Sequence, residues 1–451
     1  MPTYMKHAAL PGAFILALAT TPAAGQHEQH GAMAGQEADA MAHTMWSTEL
    51  GAGWRLLGMA QAFPIVTFGA PGQKEGSALR ETAFYLTQPA TMFNVESPDS
   101  RLSLRTTLNF EGLTLENGEL TFGGWGEGFI DKRHPHTLLH ELMLSVNLWN
   151  VAGGQASISG GKGFAPYGTD DPMARPGLKY PTNHHLSQLL ERWTLNGVFL
   201  HSGWSVEAGL FGGTEPEGPY DLSNIESFGD SWSARVARRW GAGHGPGAAW
   251  EATASYASVT EEHHDEEVTT ELWNVALRHA SAYAFGDLYT LAEYSRGLGE
   301  HDEDYFSALG EAQLLLGRHQ PYLRVEHATR PEYPRDGTPG SADFFRYDHD
   351  EEAIGATRWT ILNLGYNYLA TRGAVSIRPF VNTQFHAVSR ERGPATLEPD
   401  ALFDADRFWS VSLGARVFLG GDPMRMGSYG ILDAMTSMSR MMEDNAGMQH
   451  N

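Results

Sequence analysis

Residues 359–369 read WTILNLGYNYL. Leu362, Leu364, Tyr366 and Tyr368 fall on one parity; Asn363, Gly365 and Asn367 fall on the other. Alternation at period two marks a strand with one apolar and one polar face. The next segment repeats it, with Val375, Ile377, Pro379, Val381 and Phe385 against Ser376, Arg378, Asn382, Gln384 and His386. Leu142, Leu144, Val146 and Leu148 alternate with Ser145 and Asn147, and Trp204, Val206, Ala208 and Leu210 with Ser205, Glu207 and Gly209. Val411, Leu413, Ala415, Val417 and Leu419 alternate with Ser412, Gly414 and Arg416. Soluble strands usually run five or six residues. Two-faced segments of about ten suit strands that cross a bilayer. The fold class expected is all-β, a transmembrane antiparallel up-and-down β-barrel.

Extending the parse along the chain gives about sixteen strands, with boundaries good to two to four residues. They lie near 54–68, 101–111, 119–126, 140–150, 154–160, 190–200, 204–212 and 230–240, then 248–259, 269–280, 285–296, 306–316, 320–327, 354–370, 374–388 and 405–419. A count of about fourteen stays open, because 54–68 and 119–126 alternate less cleanly. Short turns (112–118, 151–153, 201–203, 241–247, 281–284, 317–319, 371–373) alternate with long loops (69–100, 127–139, 161–189, 213–229, 260–268, 297–305, 328–353, 389–404). Membrane barrels pair short periplasmic turns with longer outer loops, and an even strand count puts both termini on the short side.

Composition agrees. The chain has 451 residues, 51 Gly, 12 Trp and 16 Tyr, with only 19% charged. A net charge of −23 excludes nucleic acid as a partner, because phosphate would be repelled. With no Cys, disulfides, thiolate metal sites and Cys nucleophiles are excluded. Lys6 precedes an apolar run over residues 8–19, and Ala23, Ala24 and Gly25 follow, as in a secretory signal peptide cleaved near Gly25. The expected organisation is 1–25 signal peptide, 26–50 His/Met-rich periplasmic segment, 51–420 barrel and 421–451 Met-rich tail, partly helical. Export plus membrane strands implies the outer membrane of a diderm bacterium, with its lipid as a partner.

On these alternating strands the chain resembles bacterial outer-membrane β-barrels of porin type over residues 50–420. Ser412, Gly414, Val417 and Leu419 resemble the terminal-strand pattern that barrel-assembly machinery reads. A weaker resemblance, carried by Asp131-Lys132-Arg133-His134-Pro135-His136 before Glu141-Leu142, is to a group of predicted outer-membrane proteins with an HPH-containing run. The porin resemblance implies that the third long loop folds inward and narrows the pore. It would then bring Asp170, Asp171, Arg175 and Lys179 to a constriction facing inward-parity Arg192, Arg235, Arg324 and Arg378. The other reading of this loop is a solvated one outside the mouth. Trimers are common in the resemblance; the sequence identifies no interface.

Catalytic patterns are lacking. His140-Glu141-Leu142-Met143-Leu144 has no second His at 144, Gly160–Gly163 lacks the phosphate-loop spacing, and no G-x-S-x-G occurs. His134, His136 and His140 form either a divalent-ion site or a hydrogen-bonded loop corner. No enzyme is expected. Acidic runs with His fall in three outer loops: Glu261, Glu262, His263, His264 and Asp265; His301 and Asp302; Asp348, His349 and Asp350. They either bind divalent ions or are solvated loops. His27, His30, Met33, Met41, His43 and Met45 at one end, and Met435, Met438, Met441 and Met442 at the other, suit copper. The alternative for the tail is an amphipathic stripe of Leu432, Met435, Met438 and Met442 that packs against the barrel or plugs it. The leading reading is a cation-biased diffusion channel for small solutes or ions, needing no cofactor. The second is a barrel handling copper or another divalent metal through its tails. The third is an outer-membrane hydrolase.

Overall fold

The computed structural model describes residues 46–70, 83–114, 137–169, 175–177, 184–216, 218–241, 249–263, 266–299, 304–332, 355–393, 398–400, 405–420 and 426–433. Eighteen strands form one sheet. They are β1 (Trp46–Gly51), β2 (Trp54–Ala70), β3 (Ala83–Glu96), β4 (Leu102–Asn109), β5 (Leu139–Val151), β6 (Gly154–Gly163), β7 (Arg192–His201), β8 (Trp204–Phe211) and β9 (Ser231–Trp240). The second half is β10 (Ala249–His263), β11 (Glu266–Tyr283), β12 (Gly286–Leu298), β13 (Asp304–Leu315), β14 (His319–Glu332), β15 (Gly355–Tyr368), β16 (Ala370–Arg372), β17 (Val375–Arg392) and β18 (Arg407–Leu419).

From β2 onward each strand pairs antiparallel with the next, except that β15 and β16 both pair with β17. β18 returns to β2, from Trp409 opposite Ala70 to Leu419 opposite Ala60, and closes the ring. β16 only prolongs β15 along β17, and β1 only lines the first residues of β2, so the closed barrel has sixteen strands. β1 meets β2 at Trp54–Gly58 and β18 meets it from Ala60 on, so β1 continues the line of β18. Closure leaves no strand edge unpaired, which is what hydrocarbon requires of a backbone.

Parity falls as the sequence implies. Leu362, Leu364 and Tyr366 point outward and are exposed, whereas Asn363 and Asn367 are buried inside. Two aromatic clusters lie on the outer surface of β9, β10 and β11. Trp240 and Trp250 stack near the short-turn end, and Trp232, Tyr256 and Trp273 cluster toward the other. Trp232 and Trp240 share β9. At about 3.4 Å per residue and a tilt near 45°, they stand roughly 20 Å apart along the axis, close to the usual apolar band of about 25 Å.

The structure corrects several boundaries. Residues 69–100 are not one loop, because β3 lies within them and joins β4 through a short turn at 97–101. The strand expected at 119–126 lies outside the described residues, and the ring has no place for it: β4 pairs directly with β5. Residues 112–118 therefore belong to the long connection between β4 and β5. The expected loops 260–268 and 297–305 are partly strand, since β10 and β11 stay paired out to His263 opposite Glu266, and β12 and β13 out to Leu298 opposite Asp304. A short strand the sequence did not suggest, β1 at Trp46–Gly51, precedes β2 and pairs with its first residues.

Candidate functional site

The lumen carries the polar chemistry, and two chain segments enter it. The first is the third long loop, between β6 and β7. Ala165, Tyr167 and Leu189 pack on inward Phe211, Ala257, Val259 and Leu272, an apolar patch that anchors the loop. Beyond the anchor the loop crosses toward the far wall. The Gly168 N–H donates to Ser255 Oγ of β10 at 2.9 Å, and Thr169 Oγ1 donates to Glu293 of β12 at 2.7 Å. Arg175 donates to Glu293 at 2.6 Å. The Arg175 carbonyl accepts from Arg416 of β18 at 3.2 Å, the Pro176 carbonyl from Asn367 of β15 at 3.1 Å, and the Gly177 carbonyl from Arg324 of β14 at 3.4 Å. Burial pulls the Arg175 pKa down, but the Glu293 and Glu311 carboxylates outweigh it and hold it above its ordinary value. Burial and Glu293 push the Tyr167 phenol well up, so it stays a donor, here to the Leu186 carbonyl at 3.0 Å.

Gly168 turns this loop at φ +68, and a Cβ there would run into the Ser187 carbonyl. Gly168→Ala is therefore expected to loosen the crossing segment. The variant should keep its barrel circular-dichroism spectrum and show noisier, larger channel conductance. An unchanged trace would mean that the loop does not limit the path.

The arginines expected at a constriction do enter the lumen, but inward carboxylates hold three of them. Arg235 pairs with Glu207 at 2.5 Å, Arg324 with Glu311 at 2.9 Å, and Arg192 with Glu215 at 2.8 Å and Glu261 at 3.2 Å. Arg378 lies directly across from Arg416, and both stack on Phe418 at 5.6 Å. Asp170, Asp171 and Lys179 lie outside the described residues. Glu261, read as part of an ion-binding loop, sits in strand β10 beside Arg192. Glu262 and His263 continue that strand, and His264 and Asp265 lie outside the described residues. His301, Asp302, Asp348, His349 and Asp350 lie outside them too, as do the six His and Met residues of 27–45 and Met435, Met438, Met441 and Met442. Among the described residues, no group of three or more His, Asp or Glu is placed to hold a metal.

Sequence reading missed a cluster where the second and third long loops join the wall. Glu191 accepts the Thr137 N–H at 2.9 Å, meets His140 Nδ1 at 2.7 Å and lies 3.9 Å from Lys162 Nζ. Glu191 adopts φ +60, a conformation that costs a non-glycine residue about 1–3 kcal/mol unless its contacts over-determine it. Parity was a signal for His140 and Lys162, which lie in β5 and β6, but not for Glu191, which precedes β7. His134 and His136 lie outside the described residues, and His140 is taken up in this cluster.

The second insertion is the chain after β18. Residues 426–433 lie inside the barrel against β5, β6 and β7. Tyr429 O–H donates to Glu141 at 2.8 Å and accepts from the Phe164 N–H at 2.9 Å, joining this segment to the base of the third loop. Arg105 of β4 donates to the Ser428 carbonyl at 3.0 Å and to Asp433 at 3.3 Å. Gly430–Leu432 forms a single 3₁₀ turn, and the residues of the expected Met stripe beyond Leu432 lie outside the described residues.

These features define a class, the sixteen-stranded porin-type membrane barrel with an inward-folded loop. No protein-family model matches the chain, and no curated protein matches it in sequence. Solved structures similar to it include an anion-selective porin from Comamonas acidovorans (12% identity, TM-score 0.44), covering 83% of this chain and 100% of that one. OmpT, an outer membrane protein of Vibrio cholerae, has 10% identity and TM-score 0.46, covering 82% and 99%. OmpF of Salmonella typhi in complex with daunomycin has 13% identity and TM-score 0.45, covering 81% and 98%.

Proposed function

We propose that the chain is an outer-membrane diffusion channel for small solutes or ions, biased toward cations, with its short turns and both termini in the periplasm. The observation that carries this reading is the inverted polarity: Leu364, Val381 and Leu413 face out, while Asn363, Asn382 and Ser412 on the same strands face in. Such a barrel keeps water inside and hydrocarbon outside. The bias would come from the acidic excess of −23 acting at the mouths, since Glu207, Glu311 and Glu261 match lumenal arginines. No cofactor enters that chemistry.

Swelling of proteoliposomes in uncharged sugars of increasing size tests the channel. Uptake should cut off at small solutes, and an impermeable vesicle would reject it. The bias is tested by reversal potentials across a KCl gradient. Cation preference should be strongest near 0.01 M, where the Debye length is about 30 Å, and fade toward 1 M, where it is about 3 Å. An anion preference would assign the dominant field to Arg378 and Arg416 instead.

A further inference from the structure

We infer that residues 426–433 are an autoinhibitory plug: the chain holds its own conduit partly closed, and full conduction requires this segment to leave the lumen. The inference rests on the channel reading above.

The segment is seated by dedicated contacts. Met426, Tyr429 and Ile431 are 4–6% exposed, seated against the inner wall of the barrel. Tyr429 bridges Glu141 and the Phe164 N–H. Burial first, and then the Glu141 carboxylate, push its phenol well up, which keeps that donor protonated. Arg105 holds both ends, Ser428 through its carbonyl and Asp433 through its carboxylate. Gly430 adopts φ +61 where a Cβ would strike Ser157, so backbone lies directly on the wall.

The segment is also removable. It pairs with no strand, and the barrel closes through β18 and β2 without it. The third loop is continuous with wall strands on both sides, β6 before it and β7 after it, whereas no strand follows this segment among the described residues. The position is obstructive. The segment reaches Arg105 of β4, lies against β5, β6 and β7, and borders a small cavity with Glu207, Arg235 and Thr253 of β8, β9 and β10, so it covers the inner faces of seven neighbouring strands.

Three chains compared in planar bilayers test this: the full chain, a chain ending at Gly420, and the full chain carrying Ser157→Cys with Ile431→Cys. The Ile431 N–H lies 3.4 Å from Ser157 Oγ, and the chain has no other Cys to compete for the bridge. The truncated chain should conduct roughly twofold or more above the full chain. The oxidised lock should stay at the lowest level, and dithiothreitol should restore full-chain behaviour. Heat-resistant electrophoretic mobility of each chain confirms a folded barrel. Equal conductance of folded full and truncated chains would overturn the plug, as would an oxidised lock that conducts like its reduced form. In either case the channel reading would stand. Silence from all three folded, inserted chains would instead overturn the channel reading, and the plug with it.

Discussion

Glu293→Ala is expected to unpin the third loop and to destabilise the barrel by about 3–5 kcal/mol, the usual cost of stripping one partner from a buried ion pair. Glu293 accepts from Arg175 at 2.6 Å, from Thr169 at 2.7 Å and from Asn274 at 2.7 Å. Without it, the Arg175 guanidinium still feels Glu311, but Glu311 already serves Arg324. Glu293→Gln should cost less, because the amide oxygen still accepts from a neighbouring donor. Urea unfolding of liposome-refolded protein measures both. A cost below about 1 kcal/mol for Glu293→Ala would mean that water screens the pair, as at a surface.

Leu364→Arg is expected to destabilise by about 2–4 kcal/mol, the depth-dependent cost of a charge on the lipid face near the bilayer midplane. Leu364 is 45% exposed and pairs with Leu323, itself 40% exposed, in the middle of the outer band. Leu364→Phe is the control and should lie within about 0.5 kcal/mol, since lipid accommodates the ring. If Arg were tolerated as well as Phe, the face would not be in lipid. Arg at neighbouring Asn363 is no mild control, because Asn363 is buried and receives the Asn382 amide across the sheet.

The fold was legible where one parity held along a whole strand, as from Leu362 to Tyr368. β3 escaped because its parity breaks. Gln88 sits at φ +47, and the register with β2 shifts between Gln61 and Phe63, so a bulge beside Pro89 shifts the phase of alternation midway. The outer hairpin of β10 and β11 escaped because its charges read as loop. Beyond the bilayer a strand can carry charged residues and remain paired, as β10 and β11 do out to His263 opposite Glu266. β2 looked irregular because its inward face carries Leu57, Met59, Phe63 and Ile65 among polar neighbours.

The site was legible only in part. Inward parity picked out Arg192, Arg235, Arg324 and Arg378. Their partners depend on strand neighbours and on a loop path that period-two reading does not encode. The porin resemblance, not any spacing, supplied the inward turn of the third loop. The tail left two readings open, because thioethers serve metals and packing equally. Its lumenal seat depends on Tyr429 with Glu141 and Asp433 with Arg105, pairs 288 and 328 residues apart in sequence.

In the channel reading the polar lumen is an aqueous path across the membrane. Single-channel recording of the chain ending at Gly420, folded and inserted in a planar bilayer, tests it most directly. The account predicts discrete conductance steps that scale with salt concentration. A folded, inserted barrel that leaves the bilayer electrically silent would contradict it.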